Sequence, residues 1–467
     1  MTKDLTVGSP MGLILNFGLP TLLGMLFQQF YNLMDTMIVG KLLGAQALAA
    51  VGSTSSINFF VIGFCMGVCS GFAIPVAQRM GAGDYARMRR HVANAAYLSI
   101  LFATVLTVAT GLLCRTILTV MNTPGDIFAD AERYIFIIFM GIPTTFLYNL
   151  LAGILRSLGD SRTPVYFLAL SSVLNIALDF AFILWFDAGV RGAAIATVVS
   201  QGISGAACLV FMAKKYPVLR MSREERRLNW SSCRTLCIIG VPMGMQYSIT
   251  AIGSIVLQSA VNGLGSTYVA AVAAGSKLFQ LLGCPFDAMG ATMATYCGQN
   301  VGAWKLDRLG QGIRACALLG VLYSALAFGG MLLFSEPCAM LFLNPGEPEV
   351  ERLVALTSQY IVISSAFFIP LSLVNIVRFS IQGMGYSGFA ILAGVLEMAA
   401  RTGVAFFLVP VLGYTAACFA SPAAWVCADL FLIPASLICI GRLRRKMPVQ
   451  AAAREPAPQN TLETART

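Results

Sequence analysis

In the first long apolar stretch of this 467-residue chain, Gln28, Tyr31, Asn32 and Asp35 stand at i, i+3, i+4 and i+7. That is the spacing of a single helical face. In the fifth such stretch, Asn175 and Asp179 lie one turn apart and also share a face. Asp35 precedes Gly40 by five residues, Asp179 precedes Asp187 by eight, and Thr197 follows Arg191 by six. At about 1.5 Å of rise per residue, all three fall roughly 8–12 Å inside one membrane edge. Polar groups in apolar helices often do no more than hold helices together. The carboxylates fit that role poorly, because two buried acids without a nearby base repel when both are ionised. Two carboxylates, an amide and a hydroxyl at one depth are instead a candidate site for a proton or Na⁺, formed by Asp35, Asn175, Asp179 and Thr197.

The second half of the chain carries a different set. Lys277 and Glu397 fall near mid-depth by the same counting, and Arg401 is one turn from Glu397. These three could form an ion network that locks the helices, or could meet an anionic substrate or a coupling ion. Asp287 lies nearer the inner face and is expected to be hydrated. The duplicated positions described below hold no acid, since Asp179 corresponds to Ala405, and Asp35 to Val256 or Leu257. The expected chemistry is therefore lopsided, with its paired acids in the first half. Pro20 removes a backbone hydrogen bond below the Gln28–Asp35 face, so the first helix can bend there. Gly63, Gly67 and Gly71 form a small-residue stripe expected to pack closely against another helix.

The elements that position these residues follow from composition. Hydrophobic residues make up 57% of the chain and charged residues 11%, against roughly a quarter charged in soluble domains. So few charges cannot cover a water-facing surface, and much of this surface must face lipid. Stretches long enough to cross a bilayer occur near 13–39, 48–77, 92–114, 133–155, 164–186, 190–213, 235–262, 267–297, 312–334, 356–380, 388–410 and 415–441. The first is read as a helix of the mature protein, because no cleavage site follows a short apolar core.

The formal charge of +10 could suggest nucleic acid, but the basic residues cluster in breaks that follow even-numbered stretches. Arg79, Arg87, Arg89 and Arg90 follow the second, Arg156 and Arg162 the fourth, and Lys305, Arg308 and Arg314 the eighth. Odd breaks are neutral or acidic, with Asp126, Asp130 and Glu132 in one and Glu347, Glu349 and Glu351 in another. This is the positive-inside pattern, which places both termini in the cytoplasm of a bacterial-type plasma membrane. The expected partner is membrane lipid and not nucleic acid.

Gly44, Ala49, Ala50 and Val51 recur 221 positions later as Gly265, Ala270, Ala271 and Val272. Gln78, Gly81, Ala82 and Arg87 recur at that offset as Gln299, Gly302, Ala303 and Arg308, and Asn149, Gly159 and Ser161 match Asn375, Gly385 and Ser387 at 226. An ordered series at near-constant offset is a duplication. The predicted fold is an all-α integral membrane protein of twelve transmembrane helices, in two six-helix lobes related by a parallel pseudo-two-fold repeat. Its parts are an N-terminal lobe (1–213), a basic cytoplasmic linker (214–234), a C-terminal lobe (235–446) and a disordered tail (447–467). Thirteen cysteines without a Cys-x-x-Cys read as small buried hydrophobes. The chain lacks a G-x-x-x-x-G-K-[ST] loop, H-E-x-x-H and G-x-S-x-G, so neither nucleotide-driven transport nor an intramembrane enzyme is expected. No cofactor is expected beyond a coupling ion.

The run QQFYNLMDTMIVGKLLGAQALAAVG (Gln28 to Gly52) resembles the first-helix signature of the multidrug and toxic compound extrusion (MATE) family. AQRMGAGD (Ala77 to Asp84), ILRSLGDSRTP (Ile154 to Pro164), NIALDFAFI (Asn175 to Ile183) and MATYCGQNVGA (Met293 to Ala303) are similar to family motifs in the same order. The resemblance implies two lobes forming a V around a central cavity, and export of amphipathic, often cationic drugs in exchange for H⁺ or Na⁺. It resembles most the branch related to the DNA-damage-inducible F proteins. There it implies a cation site at Asp35, Asn175, Asp179 and Thr197, with Pro20, Gln28, Tyr31, Asn32 and Asn149 lining or gating the cavity. The other main branch carries a Glu in helix seven where this chain has Thr250. A monomer is expected. The competing readings are a lipid-linked oligosaccharide flippase of the same superfamily and, from another class, a channel or receptor.

Overall fold

The computed structural model of the protein describes residues 4–121, 123–343 and 349–452. Its helices are α1 (Pro10–Ser53), α2 (Ser55–Gly81), α3 (Tyr85–Val120), α4 (Gly125–Met140), α5 (Ile142–Ser157), α6 (Arg162–Phe180) and α7 (Gly189–Lys215). The second half supplies α8 (Trp230–Asn262), α9 (Ser266–Gly302), α10 (Asp307–Met340), α11 (Val350–Ala366), α12 (Phe368–Gly383), α13 (Ser387–Gly403), α14 (Val409–Leu412) and α15 (Tyr414–Ala452). Among the described residues, ten helices are long and apolar enough to cross a membrane alone. The pairs α4–α5 and α11–α12, bent by 46° and 51°, each make one further span, which brings the number to twelve.

Several boundaries differ from those expected. The first span runs from Pro10 to Gly44, where a φ of +86° breaks the helix. Glycine tolerates that angle because it has no Cβ. Residues 45–53 then form a further helical segment, and the second span starts at Ser55, not at 48. Pro20 does not interrupt α1, in which only Gly44 leaves helical dihedrals. The linker is partly helical, since α7 runs to Lys215 and α8 starts at Trp230. Of the expected tail, 447–452 continue α15; residues 453–467, and Glu347 in the acidic break, lie outside the described residues.

The duplication is visible in the backbone. The two bent spans break at Gly141 and Phe367, 226 positions apart, the same offset as Asn149 and Asn375. Left-handed glycines recur as Gly44 with Gly265 and Gly159 with Gly385. The fifth and eleventh spans each pass into a π-helical turn, at Ala181–Trp185 and Val404–Leu408. Apolar side chains such as Leu112, Trp185, Leu326 and Phe407 stand exposed on the outer surface, where hydrocarbon would meet them.

The lobes meet along α2 and α8. A Cβ at Gly67 would lie 2.6 Å from the Met243 carbonyl oxygen, and one at Gly71 would overlap the backbone of Gly240. The glycine stripe on α2 thus packs across the lobe boundary, at a distance no larger residue permits. Towards one end the seam is sealed further. Gln78 Nε2 donates to the Gly383 carbonyl at 3.0 Å and Gln299 Nε2 to that of Ser157 at 2.9 Å. Gly81 abuts the Gln299 backbone, and Gly302 that of Gln78. The segment before α1 is drawn in as well: Leu5 is fully buried and donates its N–H to Gln299 Oε1 at 2.9 Å. Beyond the bond from Ser248 Oγ to the Phe60 carbonyl, no hydrogen bond joins the lobes among the described residues towards the opposite end. The cleft is closed at the end that carries the basic breaks.

Helix α1 belongs to both lobes. Ile14 and Phe17 are packed in the C-lobe core, whereas Ile38 and Val39 are packed in the N-lobe core. Pro20, Gln28, Tyr31 and Asp35 lie on or above the stretch where the helix crosses from one lobe to the other.

Candidate cation site and central cleft

The side chains of α1, α6 and α7 converge inside the N-lobe. Asn175 and Asp179 on α6 are fully buried, and the Asp35 and Asp179 carboxyls are neighbours that act on one another. Tyr31 O–H donates to Thr197 Oγ1 at 3.2 Å, and the Thr197 hydroxyl donates to the carbonyl of Ala193 at 3.1 Å. With its nitrogen turned to Asp179, the Asn175 amide donates to Oδ2 at 2.8 Å and its oxygen accepts from the Thr197 N–H at 3.2 Å. One oxygen of each acid, Oδ1 of Asp35 and Oδ1 of Asp179, remains without a partner. Such oxygens can accept from a proton-bearing partner or a water, or can ligate a cation.

The structure brings Asp35, Asn175, Asp179, Thr197 and Tyr31 together. Gln28 is half-buried on the same helix, and Asn32 is exposed. Asn149 donates to its own turn, at the Thr145 carbonyl (2.9 Å), and stands apart from the acids. Tyr134 on α4, buried beside Asp35, Tyr31 and Asp179, is a member of the cluster that spacing along one helix does not reveal. Among the described residues no group of three His, Cys, Asp or Glu side chains is placed to hold a metal ion. Two carboxylates with neutral oxygens suit a monovalent cation or a proton.

In the C-lobe, Glu397 is buried between two guanidinium groups. It is ion-paired with Arg378 of α12, and its Oε2 lies 3.6 Å from Arg401 Nη2. Lys277 is not part of this network. It is exposed on α9 and makes no ion pair among the described residues, so Arg378 takes the place expected for it. Asp429 of α15 is buried near Arg378, and Gln382 donates to Gln246 Oε1 at 2.6 Å below the triad. Ala273, Lys277, Gln280 and Asp287 share one exposed face of α9. A lysine at mid-membrane is costly against lipid, so this face looks into the cleft.

Two duplicated lobes around a cleft, with buried polar clusters inside each, define a multi-pass membrane transporter. The comparison with known proteins names its family. The family model described as MatE matches residues 20–181 and 242–407, and the chain belongs to that family. It is 31% identical over 310 residues to the probable multidrug resistance protein YpnP of Bacillus subtilis, covering 66% of this chain and 68% of that one. With YoeA of the same organism, also called a probable multidrug resistance protein, it shares 30% over 338 residues, or 71% and 73% of the two chains. The fold matches a solved structure described as the outward-facing conformation of a multidrug resistance MATE family transporter of the MOP superfamily. The TM-score is 0.88 at 21% identity, over 95% of this chain and 99% of that one.

Proposed function

We propose that this protein is a secondary active efflux antiporter, exporting amphipathic, often cationic compounds in exchange for H⁺ or Na⁺ by alternating access. The observation that carries the reading is the Asp35–Asp179 pair, held without a neighbouring base between α6 and α1, a helix that packs into both lobes. Two like charges 4 Å apart repel by roughly 4 kcal/mol at an effective dielectric of 20. The pair therefore retains one proton or one Na⁺ between its carboxylates, with Asn175 and Thr197 supplying further oxygens. Entry or loss of that cation changes the force between α1 and α6, and α1 transmits it across the Pro20 crossing to the other lobe. The positive-inside pattern puts the closed end in the cytoplasm, which makes this the outward-open state with both termini inside. The names of the two Bacillus relatives support drugs as substrates, and the acids of the first lobe favour lipophilic cations such as ethidium. Because one chain supplies both walls of the cleft, the working unit is the monomer. The same cluster supports membership of the branch related to the DNA-damage-inducible F proteins.

The test is efflux from proteoliposomes under imposed pH or Na⁺ gradients. Wild-type protein is expected to export ethidium only with a gradient, and Asp35→Asn to lose this dependence while remaining folded. Wild-type rates in Asp35→Asn would refute the site. Movement of lipid-linked sugars alone would assign the protein to the flippases.

A further inference from the structure

Arg156, in the last turn of α5, projects into a cavity of about 50 Å³ within the seam between the lobes. Ser70 of α2 lines it from the N-lobe, and Met243, Thr295 and Phe379 line it from the C-lobe. The two fully buried arginines among the described residues share an acid, since Arg378 and Arg401 flank Glu397. Arg156 makes no ion pair and no side-chain hydrogen bond among the described residues. Its nearest ionisable neighbours are Tyr148, Tyr247 and Cys69, none of them an anion at neutral pH. The side chain is only partly covered, so it can be reached from the cleft.

A guanidinium group stays charged at any physiological pH, and its attraction for a counter-charge grows where bulk water is partly shut out. The chain supplies no counter-charge here, and the side chain is open to an anion that arrives through the cleft. The planar fork of an arginine matches carboxylate and phosphate oxygens in pairs. The cavity has room for such a group. Ser70 makes no hydrogen bond among the described residues and is available to donate, and Thr295 presents a hydroxyl from the opposite lobe.

We propose that Arg156 anchors an oxyanion, a carboxylate or phosphate group carried by the transported molecule, at the floor of the cleft. The proposal rests on the reading of the cleft as the substrate path. Within the amphipathic compounds of that reading, it favours those that carry a negative group beside their apolar or cationic body. Because the cavity has walls from both lobes, the oxyanion is held only while the seam is closed.

The experiment compares two probes with one chromophore: rhodamine 110, which bears a free carboxylate, and its methyl ester, rhodamine 123. Their affinities for the purified full-length protein, in nanodiscs of neutral lipid, are read by fluorescence polarisation. Wild-type protein should bind the acid about tenfold or more tightly than the ester. Arg156→Gln should bring the two together by weakening the acid alone, and the unchanged ester then reports an intact fold. Equal weakening of both probes, or no preference in the wild type, would overturn the proposal. If Arg156→Gln does not fold, Arg156→Lys decides: a reduced preference with unchanged ester binding supports the anchor, and an undiminished preference overturns it. Loss of the preference in discs containing phosphatidylglycerol would assign the site to a lipid headgroup and also overturn it. No gradient enters this measurement, so a failure of coupled efflux would leave its result standing.

Discussion

Taking one charge from a pair of neighbouring carboxylates and taking the anion from a triad of mixed sign have opposite consequences for stability. Asp179→Asn replaces a buried acid with a neutral amide that can still reach Asp35 and Asn175. It should unfold at or above the wild-type temperature. Glu397→Gln leaves Arg378 and Arg401 buried without their shared anion, a change that typically costs about 3–5 kcal/mol. Thermal unfolding of the purified variants should show a large drop for Glu397→Gln and none for Asp179→Asn, with gradient-driven efflux per folded molecule ranking them the other way. A drop for Asp179→Asn as large as that for Glu397→Gln would show that the pair is structural. Asp35, Asn175 and Asp179 are legible in the sequence because each is a polar group inside an apolar run, at a depth that can be counted. Arg378 and Asp429 satisfy the same criterion, but their partners lie on other helices, and counting along one helix cannot pair them. Lys277 passes the criterion and still stands alone, because depth fixes a residue's height and not the direction in which it points. Tyr134 is a further case, an aromatic residue whose place beside the acids depends on how α4 packs.

Helix length and register were open to reading from apolar runs, whereas breaks within them were not. Phe367 has no property of a helix breaker, yet the tenth span bends there as the fourth does at Gly141. The requirement is set by packing against neighbouring spans. The basic linker reads as a solvated connector, but part of it is anchored. Arg89 donates to both oxygens of Glu225 at 2.8 and 2.6 Å, and the Ser222 N–H donates to Glu225 Oε2 at 2.9 Å. Arg89 holds the Glu225 carboxyl down at about 2, below its ordinary 4.5. A lowered carboxyl supports the folded state fully above the ordinary value, and that support is lost as pH falls towards the lowered one. A spin label at Arg223→Cys should keep its mobility from neutral pH down to about 4.5 and loosen as pH approaches 2. In Glu225→Gln it should be loose throughout. Equal mobility of the two proteins at neutral pH would show that this anchor does not hold the linker.

For the whole molecule, the ordered offsets of 221 and 226 announce two equivalent halves, and the backbone repeats its bends and left-handed glycines at these offsets. How far the halves splay is not written in any single stretch, since it depends on glycines of α2 meeting those of α8. The orientation in the membrane can be tested directly. In a background without the exposed Cys427 and other accessible thiols, cysteines at Ser222 and at Glu349 should react with an impermeant reagent from opposite faces. Ser222→Cys is expected to label from the cytoplasm and Glu349→Cys from outside. Labelling of both from one face would exclude twelve spans.

The seal at the closed end is reciprocal: Gly81 of one half rests on the Gln299 backbone of the other, and Gly302 rests on that of Gln78. The same two positions of an ancestral unit therefore touch each other's copies. After the duplication, neither half was free to drift here alone, because a bulkier residue in one meets main chain, not a yielding side chain, in the other. A chimera that joins the first half of this chain to the second half of a distant relative inherits that constraint. It can close only if the relative has kept the small residue and the backbone path that Gly81 and Gly302 require of each other.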